Sequence, residues 1–244
     1  MAGRRSAAYG DGCPRRPRTL SQRSFSPARA DRAAAGFRQE GAPVQPAGQR
    51  AILDAARHEF AGRGYGAASI RDIARRAGVS LSAMYHYYSG KQELLHALLH
   101  ESSVQYFASC DEELARAGED AGERLAALVR ATVRYRAERR LESSLLLTEW
   151  RHLSEDRLKE ARQRQYDGSR LFHEVVDAGV SQGVFRTPHP EDARRGVIAM
   201  CNAVAQWYHE GGDVGVDELA ERYVELALVL VEYRPAGSLP RRAR

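Results

Sequence analysis

From Gln49 to about residue 233 the apolar side chains recur at three- and four-residue spacings, and no segment of useful length alternates apolar with polar. Glycine and proline punctuate these periodic segments, as at Gly78, Gly118, Pro188–Pro190 and Gly211–Gly212. A chain patterned in this way has to bury helical stripes against other helices, because it offers no sheet to cover. The expected fold is therefore all-α, with about nine helices.

The stripes set the order of the elements. Ile52, Leu53, Ala56 and Phe60 form the first, stopped by Gly62 and Gly64. Ile70, Ile73, Ala74 and Ala77 form the second, stopped by Gly78, and a short segment from Leu81 to Tyr88 follows after one turn. Lys91 opens a long helix that carries Leu94, Leu95, Leu98 and Leu99 and is expected to run past Phe107. Five more helices are expected over roughly 119–139, 142–153, 155–182, 190–209 and 216–233. The domain division that follows is a disordered tail at 1–48, a helical head at 49–100, a helical body at 101–234 and a basic, disordered tail at 235–244.

Charge separates these parts. Residues 1–48 sum to +6, residues 49–100 to +3 and the remainder to −4, within a net +5. A basic N-terminal part on a mildly acidic body points to a polyanionic partner for the former alone. For the tail three readings stay open: a non-specific DNA-binding arm, an inert extension, or sequence upstream of the true start. No run approaches a membrane span, the first 48 residues hold no apolar signal core, and the three cysteines form no CxxC pair. A reducing, cytoplasmic setting without membrane contact is the expectation, with Cys110 and Cys201 packed as small hydrophobes.

The most informative stretch is Ser69 to Tyr88. Ser69 can cap the second helix and Asp72 lies favourably in its first turn. Gly78 suits the left-handed conformation that ends that helix in a tight turn, Val79 can plug the angle, and Ser80 can cap the next helix. In that third helix Met84 and Tyr88 are spaced to pack inward, while Leu81, Ser82, Tyr85 and His86 point away. An ordinary helical hairpin would leave Leu81, Tyr85 and Tyr87 on a short uncharged surface with no purpose. A helix entering a DNA groove explains them.

Over about 49–100 the chain resembles the TetR/AcrR family of one-component regulators. The resemblance is carried by Ile73-Ala74, Ala77-Gly78-Val79-Ser80, Met84-Tyr85-x-Tyr87-Tyr88 and Lys91-x3-Leu95, with Tyr88 standing where the family usually has Phe. It implies a helix-turn-helix whose DNA contacts come from Arg71, Leu81, Ser82, Ala83, Tyr85, His86 and Tyr87, with a phosphate held by Lys91. Arg71 suits the O6/N7 edge of guanine, whereas Leu81 and Ala83 can offer only apolar contact, such as to a thymine methyl. Phosphate contacts should then dominate affinity for double-stranded operator DNA.

The last two helices are apolar over more than one face, through Val197, Cys201, Val204 and Trp207 on one and Leu219, Tyr223, Leu226 and Leu230 on the other. The resemblance implies that they pair with a second copy as a homodimer, which sets two recognition helices about 34 Å apart. The middle helices are expected to enclose an effector site, with Tyr106, Leu145, Glu149, Trp150, Tyr166, Met200, Asn202 and Trp207 as candidate linings. The stretch Trp207-Tyr208-x2-Gly211-Gly212 resembles members that sense acyl-CoA thioesters, and a sensor of apolar drugs controlling an efflux pump is the rival. An acyl-CoA also needs basic groups for its phosphates, for which Arg139, Arg140, Arg157, Arg162 and Arg164 are available. An effector that weakens operator binding a hundredfold must prefer the DNA-incompetent state by about 2.7 kcal/mol.

Other classes are weaker. His96-x3-His100 has metal-ligand spacing but lacks the glutamate of HExxH and any third ligand, so two histidines on a solvated face is the preferred reading. No glycine-rich phosphate loop, GxSxG motif or nucleophile with a base is present, which argues against an enzyme, and no cofactor is expected. A ligand-independent architectural DNA-binding protein would not need a large apolar body. Repression is the mode the resemblance implies.

Overall fold

The structure, a computed structural model, describes residues 47–235. Apart from Ala47, Gly48 and Pro235, the two expected tails lie outside the described residues. Among the described residues nine α-helices follow one another: α1 Ala47–Ala67, α2 Ile70–Ala77, α3 Leu81–Tyr87, α4 Lys91–Arg116, α5 Ala121–Glu138, α6 Arg140–Thr148, α7 Glu155–Ser181, α8 Pro190–Trp207 and α9 Val216–Leu230. A 3₁₀ turn at Glu149–His152 joins α6 to α7. Among the described residues there is no strand, only a single bridge between Phe185 and Tyr233. No helix among them is long and apolar enough to cross a membrane.

Two differences from the sequence reading concern α1 and α6. Gly62 and Gly64 do not stop the first helix; it continues to Ala67 across a kink at Gly64, whose φ of 77° only glycine adopts without strain. The segment read as one helix over 142–153 is α6 plus the 3₁₀ turn, which re-aims the chain before Ser154 leads into α7.

The helices gather around two apolar clusters. The first joins Ile52, Phe60, Ile73, Met84, Leu94, Leu95 and Leu98 of α1–α4, and recruits Leu145, Leu153 and Ala161 from later in the chain. The expected division at residue 100 thus falls inside α4, and the core on the head side is completed by residues more than forty positions beyond it. The second cluster is built on α5, which packs against α4, α6, α7, α8 and α9. Alanines 121, 126, 127, 131 and 137 line its buried faces and let those neighbours come close. Bonds across the helices tie this body together: Tyr135 donates to the Ser102 carbonyl at 2.7 Å, and Arg134 donates to Asp217 at 2.9 Å.

Candidate functional site

The turn between α2 and α3 is fixed by its caps. The Ser69 hydroxyl accepts the Asp72 amide at 3.1 Å and donates to the Asp72 carboxylate at 2.7 Å. That hydroxyl, with Arg75 and Arg63 nearby, holds the Asp72 carboxyl below the usual range. Gly78 ends α2 at φ 68°, ψ 26°, and the Ser80 hydroxyl accepts the Ala83 amide at 3.0 Å to start α3. Arg76 pairs at 2.7 Å with the buried Glu59 carboxylate and so clamps α2 to α1.

These constraints set the two faces of α3. Met84 is fully buried and Tyr88 nearly so. Leu81 and Tyr85 are 38% and 51% exposed, Ser82 and His86 are exposed beside them, and Arg71 is exposed on α2. Ala83 and Tyr87 differ from the sequence reading. Both are half-buried, and the Tyr87 ring packs on the head core within 4 Å of where a side chain at Gly48 would begin.

Lys91 differs more. Its ammonium donates to the carbonyls of Tyr65 at 2.7 Å, Ala68 at 3.0 Å and Gly66 at 3.3 Å, and lies 4.4 Å from the centre of the Tyr65 ring. Three N–H donors thus meet three carbonyls at the end of α1, where orphan carbonyls and the helix dipole favour a cation. None of the three is left over for a phosphate in this arrangement.

Between the two apolar clusters lies a cavity of about 210 Å³. Its walls come from α4 (Ser103, Tyr106), α5 (Thr132, Arg136), α6 and the 3₁₀ turn (Leu146, Trp150), α7 (Arg164, Phe172) and α8 (Ile198, Asn202). Of the eight linings expected from sequence, Tyr106, Trp150 and Asn202 line it and five do not. Leu145 is buried in the head cluster, one residue away from the lining Leu146. Glu149 pairs with His152 at 3.4 Å instead. Tyr166 and Trp207 are 62% and 50% exposed, and Met200 packs against the body cluster.

The cavity's polar groups are few. Tyr106 and Thr132 hydroxyls meet at 3.1 Å, and Thr132 in turn donates to the Leu128 carbonyl at 2.7 Å. Burial pushes the Tyr106 phenol far up, so it stays protonated. Arg136, only 5% exposed, donates from Nε to Asn202 Oδ1 at 3.1 Å and lies over the Tyr106 ring at 4.9 Å. Burial also lowers the Arg164 pKa on the opposite wall. Among the described residues no group of three or more potential ligands is arranged to hold a metal. His96 instead faces Glu160 at 3.0 Å.

Comparison with known proteins agrees with this architecture. A model of bacterial regulatory proteins of the tetR family matches residues 52–98, and one of a tetracyclin repressor-like C-terminal domain matches residues 118–231. The HTH-type transcriptional repressor KstR2 of Rhodococcus jostii is 30% identical over 181 residues, 72% of this chain and 87% of that one. The chain belongs to the TetR family. A TetR-family regulatory protein from Rhodococcus RHA1 superposes with a TM-score of 0.72 at 27% identity, covering 78% of this chain and all of that one. AibR, solved with isovaleryl coenzyme A and operator DNA, shares the fold with a TM-score of 0.68 at 20% identity, over 77% of this chain and all of that one.

This TetR-family protein is accordingly a DNA-binding transcriptional regulator and not an enzyme. Sequence reasoning missed most of the cavity's linings, Ser103, Thr132, Leu146, Phe172 and Ile198 among them, and the charged one it missed is Arg136. A signal was present, because Arg136 continues the inward stripe Leu125, Leu128, Val129 and Thr132, where a charged side chain is out of place.

Proposed function

We propose that this TetR-family regulator is a homodimeric repressor that holds a near-palindromic operator through α3 and leaves it when a small hydrophobic effector, such as an acyl-CoA, enters the cavity. Residues 49–100 act as the DNA-binding head and 101–234 as the effector-binding and dimerisation body. The observation that carries the DNA-binding surface is the exposure of Leu81 and Tyr85 on a helix whose other face is pinned by Met84. Arg71, Ser82, Tyr85 and His86 are offered to bases and phosphates, Leu81 gives apolar contact, and Ala83 and Tyr87 shape the edge of the surface. Lys91 serves first to hold α4 against the end of α1.

Dimerisation is supported by Trp207, Leu226, Val229 and Leu230, which leave α8 and α9 with an exposed apolar face. The effector is supported by a cavity below the roughly 300–1,000 Å³ of sites for drug-sized ligands, fitting an apolar group of modest size or the acyl end of a longer molecule. Similarity to KstR2, a repressor, and to AibR, seen with isovaleryl coenzyme A, supports the same class. Its largely apolar walls also suit an uncharged drug, which is the reading of an efflux-pump regulator.

The test is release of the protein from DNA upstream of its own coding region, at stated salt, on titration with acyl-CoAs, free acids and apolar drugs. Release by CoA thioesters is expected. Release by drugs alone would move the regulator to the efflux class, and equal affinity for random and operator duplexes would make it an architectural protein.

A further inference from the structure

Among the described residues Arg136 is a cation without a counter-ion. It is 95% buried, its Nη1 has no hydrogen-bond partner among the described residues, and none of their carboxylates forms an ion pair with it. Tyr106 and Tyr135 rings at 4.9 and 5.7 Å offset part of its desolvation, but they give its N–H groups no acceptor. The neighbouring hydroxyls do not serve as that acceptor either. Ser103 donates to the Leu99 carbonyl and Thr132 to the Leu128 carbonyl, both at 2.7 Å, the Thr132 oxygen is shared with Tyr106, and among the described residues neither oxygen accepts from Arg136.

The cavity as a whole is positive. Arg136 and Arg164 line it from α5 and α7, and among the described residues no Asp or Glu lines it. Among the described residues Arg164 pairs only with the exposed Glu160, at 3.5 Å and outside the wall. A buried, unpaired guanidinium beside an apolar space is unfavourable unless an anion joins it. Asn202 adds to this arrangement, since its oxygen is taken by Arg136 Nε, which leaves its NH₂ as a further donor.

We infer that the effector carries a carboxylate at its buried end, and that this carboxylate seats on Arg136 with Asn202 beside it. The inference rests on the proposed effector role of the cavity and narrows it. A carboxylate matches the planar fork of the guanidinium with two parallel bonds, which a neutral thioester carbonyl cannot do. An apolar carboxylate has two sources: a free acid, or the distal end of a dicarboxylic acid whose other end is joined to coenzyme A.

The experiment measures binding of matched probes of four, six and eight carbons by calorimetry, together with release of upstream DNA. The probes are straight-chain acids, their methyl esters, their CoA thioesters, and the CoA half-thioesters of dicarboxylic acids. Carboxylate-ended probes should bind at least tenfold more tightly than neutral-ended ones of the same length. The Arg136→Met variant should erase that preference, and Arg136→Lys should keep part of it. Preference for free acids over half-thioesters, or the reverse, identifies the source. Equal binding of methyl esters and acids, or no binding by any carboxylate-ended probe, overturns the inference.

Two outcomes separate this inference from the wider reading. If simple acyl-CoAs release DNA and carboxylates do not bind, the carboxylate fails and the effector reading stands. If carboxylates bind through Arg136 without releasing DNA, the effector reading fails and the site stands. Without ligand, Arg136→Met should melt no lower than the native protein, because it removes an uncompensated buried charge. A lower melting temperature with the carboxylate preference intact would mark Arg136 as structural and overturn the inference.

Discussion

Gln92, in the first turn of α4, donates through Nε2 to the carbonyl of His152 at 2.6 Å. Its amide oxygen accepts the Ser154 N–H at 3.1 Å, so one side chain grips the backbone on both sides of Leu153. Trp150 of the cavity wall lies two residues before His152, and the His152 ring stacks on Tyr65 at 5.2 Å. Arg57 adds a second tie, facing Glu101 of α4 at 3.2 Å and Glu142 of α6 at 3.3 Å. The cavity wall and the head thus share direct bonds.

Replacing Gln92 with Ala should therefore loosen residues 149–154 without unfolding the protein. The expected cost is about 1 kcal/mol for two partly solvated hydrogen bonds. Hydrogen exchange at the Ser154 amide should speed up while the amides of α5 keep their protection. Unchanged exchange at Ser154 would show that the tie does not hold this turn.

The Tyr85→Ala substitution removes a side chain that is half exposed, so stability should change by less than about 0.5 kcal/mol. Specific operator binding should nevertheless be lost. A native footprint in this variant would mean that α3 does not read the DNA.

For Lys91→Met the outcomes of two roles diverge. Loss of three charge-assisted contacts to the end of α1 should lower stability by about 1.5–3 kcal/mol, read from the denaturation midpoint. The salt dependence of DNA binding should hardly change if the ammonium stays on those carbonyls. A slope shallower by about 0.9 would show that it moves to a phosphate on the operator.

Acid should weaken the start of α4. Glu93 accepts the Ser89 hydroxyl and amide, both at 2.6 Å, and these bonds hold its carboxyl below the usual range. A depressed carboxylate stabilises the fold fully above its unfolded pKa, about 4.3, and loses that contribution as pH falls through the lower folded value. The melting temperature should fall below about pH 4.3, and Glu93→Gln should be less stable at neutral pH with a flatter acid limb. An acid limb identical to that of the native protein counts against this account.

Leu226→Glu and Val229→Glu place charge on side chains that are 52% and 72% exposed on α9. The isolated fold should tolerate both. Light scattering should show monomers, and operator affinity should fall steeply because two linked heads become one. A variant that stays dimeric would place the partner elsewhere.

Local chemistry made the helix-turn-helix readable from residues alone. Ser69, Gly78 and Ser80 act through their own backbone neighbours, so the caps and the left-handed turn follow from spacing. The same holds for most helix ends and for the inward set Ile73, Ala74 and Met84. Long-range partners were not readable. Lys91 stands at a helix start where a phosphate contact is a fair expectation, yet it meets carbonyls 23 to 26 residues back. Five expected cavity linings missed because helical periodicity does not show what a face meets: Leu145 and Met200 pack into the apolar clusters, Glu149 pairs with His152, and Tyr166 and Trp207 are exposed. Sequence by itself determined the helices, their caps and the outward face of α3, because those depend on contacts within a turn or two. Only the tertiary structure decided that Arg136, Asn202 and Arg164 share one cavity without a carboxylate, because that depends on α5, α7 and α8 packing side by side.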